Sequence, residues 1–204
     1  MAEKLFGTAA VLAGGRSVRM GFDKQLLTIN ERRLFDIIYN TLSAKFEDII
    51  VCTYHPNLYK GYSLRTVSDQ YCNSGPLSGI HSALSASESR YVYVIACDMP
   101  NINMPYIEYM EQLIKDNGCP DACITQKLNW IEPFNAYYSK SCLPVIEDDL
   151  LNGKTSIRYF LQKVNTLEIK EEKAREFSEN WSMFLNINTR ENYEEYAKSA
   201  YISL

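Results

Sequence analysis

The chain has no pair of cysteines at C-x-x-C spacing, and its two histidines, His55 and His81, lie far apart. The closely spaced soft ligands of a zinc site are therefore missing. The six cysteines, Cys52, Cys72, Cys97, Cys119, Cys123 and Cys142, are scattered, which sets aside a disulfide framework and leaves reduced core thiols as the expectation. Positive charge is also scarce: 21 Lys and Arg stand against 25 Asp and Glu, for a net charge of −4, with no dense basic run. A broad nucleic-acid surface is excluded on that balance, so any phosphate ligand must be met by a local motif. No apolar run approaches the ~20 residues that cross a bilayer. Met1-Ala2-Glu3-Lys4 leads straight into a β-rich run without a signal-like apolar core, so the expectation is a cytoplasmic protein without a membrane partner. There is no linker rich in Gly, Ser or Pro and no internal repeat. With 204 residues, 46% of them hydrophobic, the chain can bury a full core as one domain spanning 1–204.

What is present is alternation. Apolar β-rich runs recur at Leu5 to Leu12, Asp48 to Thr53, Leu64 to Val67, Tyr91 to Cys97 and Asp121 to Thr125. Between them, Leu34, Ile37, Ile38, Thr41 and Leu42 share one helical face, and Leu77, Ile80, His81 and Leu84 share another. Asn103 before Pro105 and the run Ile107 to Ile114 reads as an N-capped helix with proline in its first turn. Trp130 to Tyr138 and Val164 to Ile169 read as further strands, and Leu143 to Leu151 and Ser156 to Lys163 as short helices. This pattern predicts an α/β three-layer sandwich around a mostly parallel sheet, with ligands beyond the carboxyl ends of its strands. Fifteen tyrosines hint at an amphipathic docking face, although Tyr193 to Lys198 reads more simply as a helix with one packed side.

The stretch Val11-Leu12-Ala13-Gly14-Gly15-Arg16-Ser17-Val18-Arg19-Met20-Gly21-Phe22-Asp23-Lys24 places a glycine-rich turn and three cations directly after the first strand. Gly14 and Gly15 let backbone N–H groups approach phosphate oxygens, and Arg19 and Lys24 supply the neutralising charge. The spacing fits neither the G-x-G-x-x-G dinucleotide fingerprint nor the Walker A loop. A structural strand-to-helix turn with solvated charges is the alternative. Tyr91-Val92-Tyr93-Val94-Ile95-Ala96-Cys97-Asp98-Met99-Pro100 delivers a carboxylate to the end of an apolar strand. A lone strand-end aspartate suits Mg²⁺, which takes one or two protein carboxylates and fills its other positions with phosphate oxygens and water; a turn-capping aspartate competes.

The first stretch resembles the signature L-A-G-G-x-S-x-R-M-G-x-D-K of the molybdenum cofactor guanylyltransferases, nucleotidyltransferases with a glycosyltransferase-A-like fold. The resemblance runs through Leu12, Ala13, Gly14, Gly15, Ser17, Arg19, Met20, Gly21, Asp23 and Lys24. Three further segments continue it. Asp69 with Asn73-Ser74-Gly75-Pro76-Leu77-Ser78-Gly79-Ile80 is similar to the family's base and ribose element, in which Asp69, Gly75 and Gly79 would face the nucleotide. From the residues alone, an ordinary helix entry with Asp69 in a turn fits equally well. Cys97-Asp98-Met99-Pro100 matches the metal-binding C-D-x-P. Glu132-Pro133-Phe134-Asn135-Ala136-Tyr137-Tyr138 is similar to H-P-x-x-A-L-Y, with Glu132 where histidine is common, and Phe184-Leu185-Asn186-Ile187-Asn188-Thr189-Arg190-Glu191 to the F-x-N-V-N-T-P-E-D ending. These last two segments put Pro133, Asn135, Asn186 and Asn188 on the acceptor side. Asn188 with Glu191 also reads as a helix N-cap and its partner. A second departure is the end of the second strand, where Thr53 is the polar candidate in place of an asparagine.

The resemblance implies transfer of GMP from GTP to molybdopterin with Mg²⁺ as cofactor. Arg19, Lys24 and Asp98 would be catalytic, within a nucleotide half of about 1–118 and an acceptor half of about 119–204. Cofactor-synthesis proteins and apo-molybdoenzymes are the implied macromolecular partners. The alternatives are a related transferase using CTP or a sugar or polyol phosphate, and a non-catalytic GTP-binding protein that delivers the cofactor. Gly14-Gly15 and Gly75-Pro76-Leu77 look like the guanylyl branch, since the cytidylyl branch reads L-A-A-G.

Overall fold

In the computed structural model the described residues are 4–14, 24–29, 32–71, 74–189, 191–194 and 196–197. Alternating strands and helices build the sheet in chain order. β1 (Lys4–Leu12), the short strands β2 (Thr28–Ile29) and β3 (Arg32–Arg33), and helix α1 (Leu34–Ser43) come first. β4 (Asp48–Cys52), β5 (Arg65–Val67), α2 (Gly75–Ala86) and β6 (Ser89–Ala96) follow. Then come α3 (Met104–Asp116), β7 (Ala122–Lys127), β8 (Trp130–Ser139), α4 (Leu143–Leu151), α5 (Ile157–Leu161), β9 (Thr166–Lys170) and α6 (Glu171–Arg175).

Seven strands form one sheet in the order β5-β4-β1-β6-β8-β7-β9. β1 pairs parallel with β4 and β6, β4 with β5, and β7 with β9, whereas β8 runs antiparallel to both β6 and β7. The reversal at β8 follows from its connection. Lys127 pairs with Trp130, leaving a two-residue hairpin whose Leu128 takes φ +52; such a turn can join only antiparallel strands.

Along the central strands β1, β4 and β6 side chains alternate and are covered on both faces. Ala9, Val11, Val51, Tyr93 and Ile95 pack with Phe35, Ile38 and Leu42 of α1 and with Tyr106, Ile107 and Met110 of α3. Ala10, Leu12, Ile50, Cys52, Val92 and Val94 pack with Leu77, Ile80 and Leu84 of α2 and with Ile146 and Phe160 beyond it. Burial on both faces explains why the central parallel strands β1, β4 and β6 are mostly apolar. The expected three-layer sandwich is thus observed. Asn103 caps α3, its Oδ1 accepting the Tyr106 N–H at 2.9 Å, and Ser156 likewise caps α5. A third cluster joins Leu27, Ile29 and Leu34 to Ile187, with Tyr193 and Tyr196 against it. Five of the fifteen tyrosines, Tyr91, Tyr93, Tyr106, Tyr137 and Tyr138, are fully buried core residues, whereas Tyr54 and Tyr159 are exposed.

Candidate active site

The parallel strands around β1 end level. Leu12 pairs with Cys52 of β4 and with Ala96 of β6, and Cys52 pairs with Val67 of β5. Backbone bonds carry that alignment one residue further, from Ala13 N to Cys52 O (2.9 Å), Thr53 N to Val67 O (2.8 Å) and Cys97 N to Leu12 O (3.1 Å). Residues at or just beyond these strand ends, Leu12 to Gly14, Cys52, Asp69 and Ala96 to Asp98, line one cleft of about 440 Å³, large enough for a nucleotide-sized ligand.

Of the sequence-derived candidates, Leu12, Ala13, Gly14, Asp69, Gly75, Gly79, Asp98, Pro133, Asn186 and Asn188 all line this cleft. Gly15 and Arg19 lie outside the described residues, as do Ser17, Met20, Gly21, Asp23 and Asn73; Lys24 begins a short 3₁₀ turn, Lys24–Leu26.

Each wall has a local cause. Gly75 takes φ +66 at the first turn of α2, a left-handed conformation that costs glycine little. Gly79, one turn on, lets the helix approach β1: an added Cβ would sit 3.2 Å from Leu12 Cδ2 and 3.8 Å from Asp69 Oδ1. Gly14 is different, because it does not occupy the left-handed region and a Cβ there would meet only ordinary contacts, at 3.6 Å from Cys52 O and 3.9 Å from Asp69 Oδ2. Its value is the open space it leaves, not its backbone angles. Asp69 accepts the Tyr54 hydroxyl at 3.3 Å, and burial lifts its carboxyl above the ordinary carboxylate range, against the opposing pull of Tyr54 and His81.

Asp98 is 8% exposed. Its carbonyl accepts the N–H of Ile187 at 3.0 Å, and that bond seats Asn186 and Asn188 beside it. Thr189 Oγ1 accepts the Asn192 N–H at 3.1 Å, and Asn188 lines the cleft.

The third wall is a bulge. While β7 advances from Cys123 to Thr125, its partner residues on β8 go from Tyr137 to Glu132, so the intervening residues leave the ladder and Pro133 and Phe134 turn into the cleft. Bulges commonly re-aim side chains in this way and accommodate proline. Asn135 is the exception among the acceptor-side candidates. It is fully buried at φ +59, accepting the Tyr93 hydroxyl at 2.7 Å and donating to Met183 O at 3.3 Å. It stands outside the cleft lining, and those two partners hold it as the pin of the bulge.

Sequence reasoning missed Gln25 in the cleft lining, and Thr53, the polar candidate at the end of the second strand, is not part of that lining. Thr53 is 2% exposed and spends its hydroxyl on Gln25 Oε1 at 2.9 Å, where the Tyr59 hydroxyl also donates. Thr53 therefore positions Gln25, and no local pattern announces that pairing. Cys52, also in the lining, donates to Gly79 O at 3.3 Å, and burial pushes its thiol far above the ordinary range, so it is no thiolate nucleophile.

A cleft at level strand ends, one strand-end aspartate, close-packed glycines and a facing pair of asparagines can hold a phosphorylated ligand and a hard cation without offering a covalent nucleophile. Comparison with known proteins gives the same picture. Residues 9–169 match the MobA-like NTP transferase domain. The chain is 48% identical over 200 residues to a probable molybdenum cofactor guanylyltransferase of Peptoclostridium acidaminophilum, covering 96% of this chain and 90% of that one. It is 47% identical over 193 residues to the molybdenum cofactor guanylyltransferase of Syntrophotalea carbinolica, covering 95% and 91%. Among solved structures, the molybdopterin-guanine dinucleotide biosynthesis protein A of Archaeoglobus fulgidus superposes with a TM-score of 0.84 at 25% identity, over 97% of this chain and all of that one. The chain is a nucleotidyltransferase and belongs to the molybdenum cofactor guanylyltransferase family.

Proposed function

We propose that the protein transfers GMP from GTP to the phosphate of molybdopterin in the molybdenum cofactor, forming the guanine dinucleotide and releasing pyrophosphate. An oxygen of the acceptor phosphate forms a bond to the α-phosphorus as the bond from that phosphorus to the β-phosphate oxygen breaks, and the leaving pyrophosphate keeps the electron pair. The acceptor phosphate attacks as its anion, so no base need remove a proton. The observation that carries this reading is the convergence of separated segments, Leu12 to Gly14, Asp69 with Gly75 and Gly79, Asp98, and Asn186 with Asn188, in one cleft.

Within it, Asp69 reads the guanine N1–H and 2-amino hydrogens with its carboxylate. The Gly14 and Gly15 amides and Arg19 hold the pyrophosphate end, and Lys24 neutralises the transferring phosphoryl group. Members of this enzyme class generally use a divalent metal. A hard oxygen donor in Asp98, with no cluster of three or more His, Cys, Asp or Glu among the described residues, fits an ion that draws its remaining ligands from phosphate and water. Asp98 would hold Mg²⁺, which when bound offsets charge between the α-phosphate and the leaving group.

The chain acts as one domain, with its nucleotide half at about 1–118 and its acceptor half at about 119–204; that both halves line one cleft supports this. The five described cysteines remain thiols, which suits a reducing cytoplasmic setting. No helix among the described residues is long and apolar enough to cross a membrane.

The test is pyrophosphate release by purified protein and Mg²⁺ with GTP, CTP, ATP or UTP, with and without metal-loaded molybdopterin. Release that requires GTP and the pterin together is the expected result. Release with CTP moves the protein to the cytidylyl chemistry, and GTP binding without any release makes it a carrier.

A further inference from the structure

Glu132 is the residue at which this chain departs from the histidine common at its position, and its surroundings are specific. It lines the cleft beside Pro133 and Phe134, on the β8 side, whereas Asp69 lines it on the β5 side. Among the described residues its hydrogen-bond partner is Trp181, whose indole N–H donates to Oε1 at 3.4 Å. Trp181 is itself clamped, with Lys127 Nζ 4.7 Å from its ring centroid and the Arg175 guanidinium carbon 5.3 Å from it on the same ring. The carboxylate is thus oriented through one oxygen while the group still borders the cleft. Burial raises the Glu132 carboxyl above the ordinary range, so a half-buried acceptor here gains most from a ligand that brings hydrogen-bond donors. Phosphate brings none. Phe134 supplies an apolar aromatic surface on the same wall, against which a flat ring can lie.

We propose that Glu132 recognises the pterin ring of the acceptor, its carboxylate accepting the ring N3–H and 2-amino hydrogens. The proposal rests on the acceptor assignment made above. A 2-amino-4-oxopyrimidine edge carries adjacent N–H and NH₂ donors, and guanine and pterin share it. Two carboxylates on either side of the β1–β6 pair then read the same donor edge on the two halves of the product, with Asp98 at the strand end between them.

The test uses a free pterin and lumazine, its analogue in which an oxo group replaces the 2-amino group, titrated by their own fluorescence into the full chain. The wild-type protein binds pterin at least about tenfold tighter than lumazine, as expected for a hydrogen bond to a charged group. Glu132→Gln abolishes most of that preference and raises the KM for the acceptor by roughly 10–100-fold, leaving GTP affinity unchanged. Trp181→Phe, which removes the indole donor but keeps the carboxylate, retains the preference.

Equal binding of the two rings by the wild type overturns the proposal, as does preference surviving in Glu132→Gln. It is also overturned by loss of GTP affinity in that variant, which would assign Glu132 to guanine, or by Trp181→Phe reproducing the Glu132→Gln loss, which would make its role one of packing. Failure of the acceptor assignment shows separately, as no pyrophosphate release by the wild type even though pterin is bound selectively.

Discussion

On the β1 side the cleft is floored by backbone: Leu12, Ala13 and Gly14 leave a strand whose ladder neighbours end at the same level, and Gly79 lets a helix close on it. On the β8 side it is walled by side chains held from elsewhere. A bulge is pinned by Asn135, a carboxylate is steered by Trp181, and a pair of asparagines is seated by one backbone bond to Asp98. The first construction depends on which atoms are absent, the second on which partners are present. Substitutions on the two sides should therefore fail in different ways.

The largest effect falls where the two sides meet. Asp98→Ala is expected to lower pyrophosphate release by at least about 10²-fold with the fold intact, as for other preorganised electrostatic groups; near-normal turnover would remove Asp98 from the chemistry. Next is Asp69→Asn, for which kcat/KM for GTP should fall about 10–100-fold while inosine triphosphate, which lacks the 2-amino group, changes less. With the carboxylate as the proposed acceptor and its carboxyl raised by burial, GTP affinity of the wild type should be lost as pH falls, beginning above the ordinary carboxyl value of about 4. Calorimetric titration across pH 4–8 checks this window, and in Asp69→Asn the dependence should flatten.

Asn135→Ala should act on the other side through stability alone. It strands the buried Tyr93 hydroxyl and places alanine at φ +59, for a loss of about 1–3 kcal/mol in urea denaturation. An unchanged acceptor KM well below the unfolding midpoint would separate this pin from the cleft; a raised KM without loss of stability would return it to the acceptor contacts. Gly75→Ala, strained at φ +66 over open space, should cost about 1–2 kcal/mol. The smallest change in stability belongs to Gly14→Ala, within about 0.5 kcal/mol, because its Cβ meets only ordinary contacts. A measurable loss of GTP affinity at unchanged melting temperature would mark it as a residue kept small for the ligand.

The same contrast explains what could be read from the residues. The strand end at Leu12 was legible, and the end of β6 to within one residue, Cys97 expected and Ala96 observed, because apolar runs stop there against glycine or against aspartate before proline, and β-propensity and turn chemistry act locally. The cap at Asn103 and the helix Leu143–Leu151 were legible for the same reason. Gln25 was not: its place depends on Thr53 and Tyr59 from later segments. Nor was the role of Asn135, since a bulge is a mismatch between two strands and only one of them carries the residue. Phe35, flanking the predicted stripe of α1, is buried because α1 also leans on Tyr59 and Tyr62, and a single-helix periodicity does not contain those neighbours.

The bond from Ile187 to Asp98 also has a consequence in time. A nascent chain that has passed β6 already holds the strands that floor the nucleotide side, yet the asparagines opposite Asp98 belong to a segment made much later, and a contact so distant in sequence closes only after its loop entropy is met. The pocket is therefore completed last. Unfinished chains on the ribosome therefore present a cleft with one wall missing.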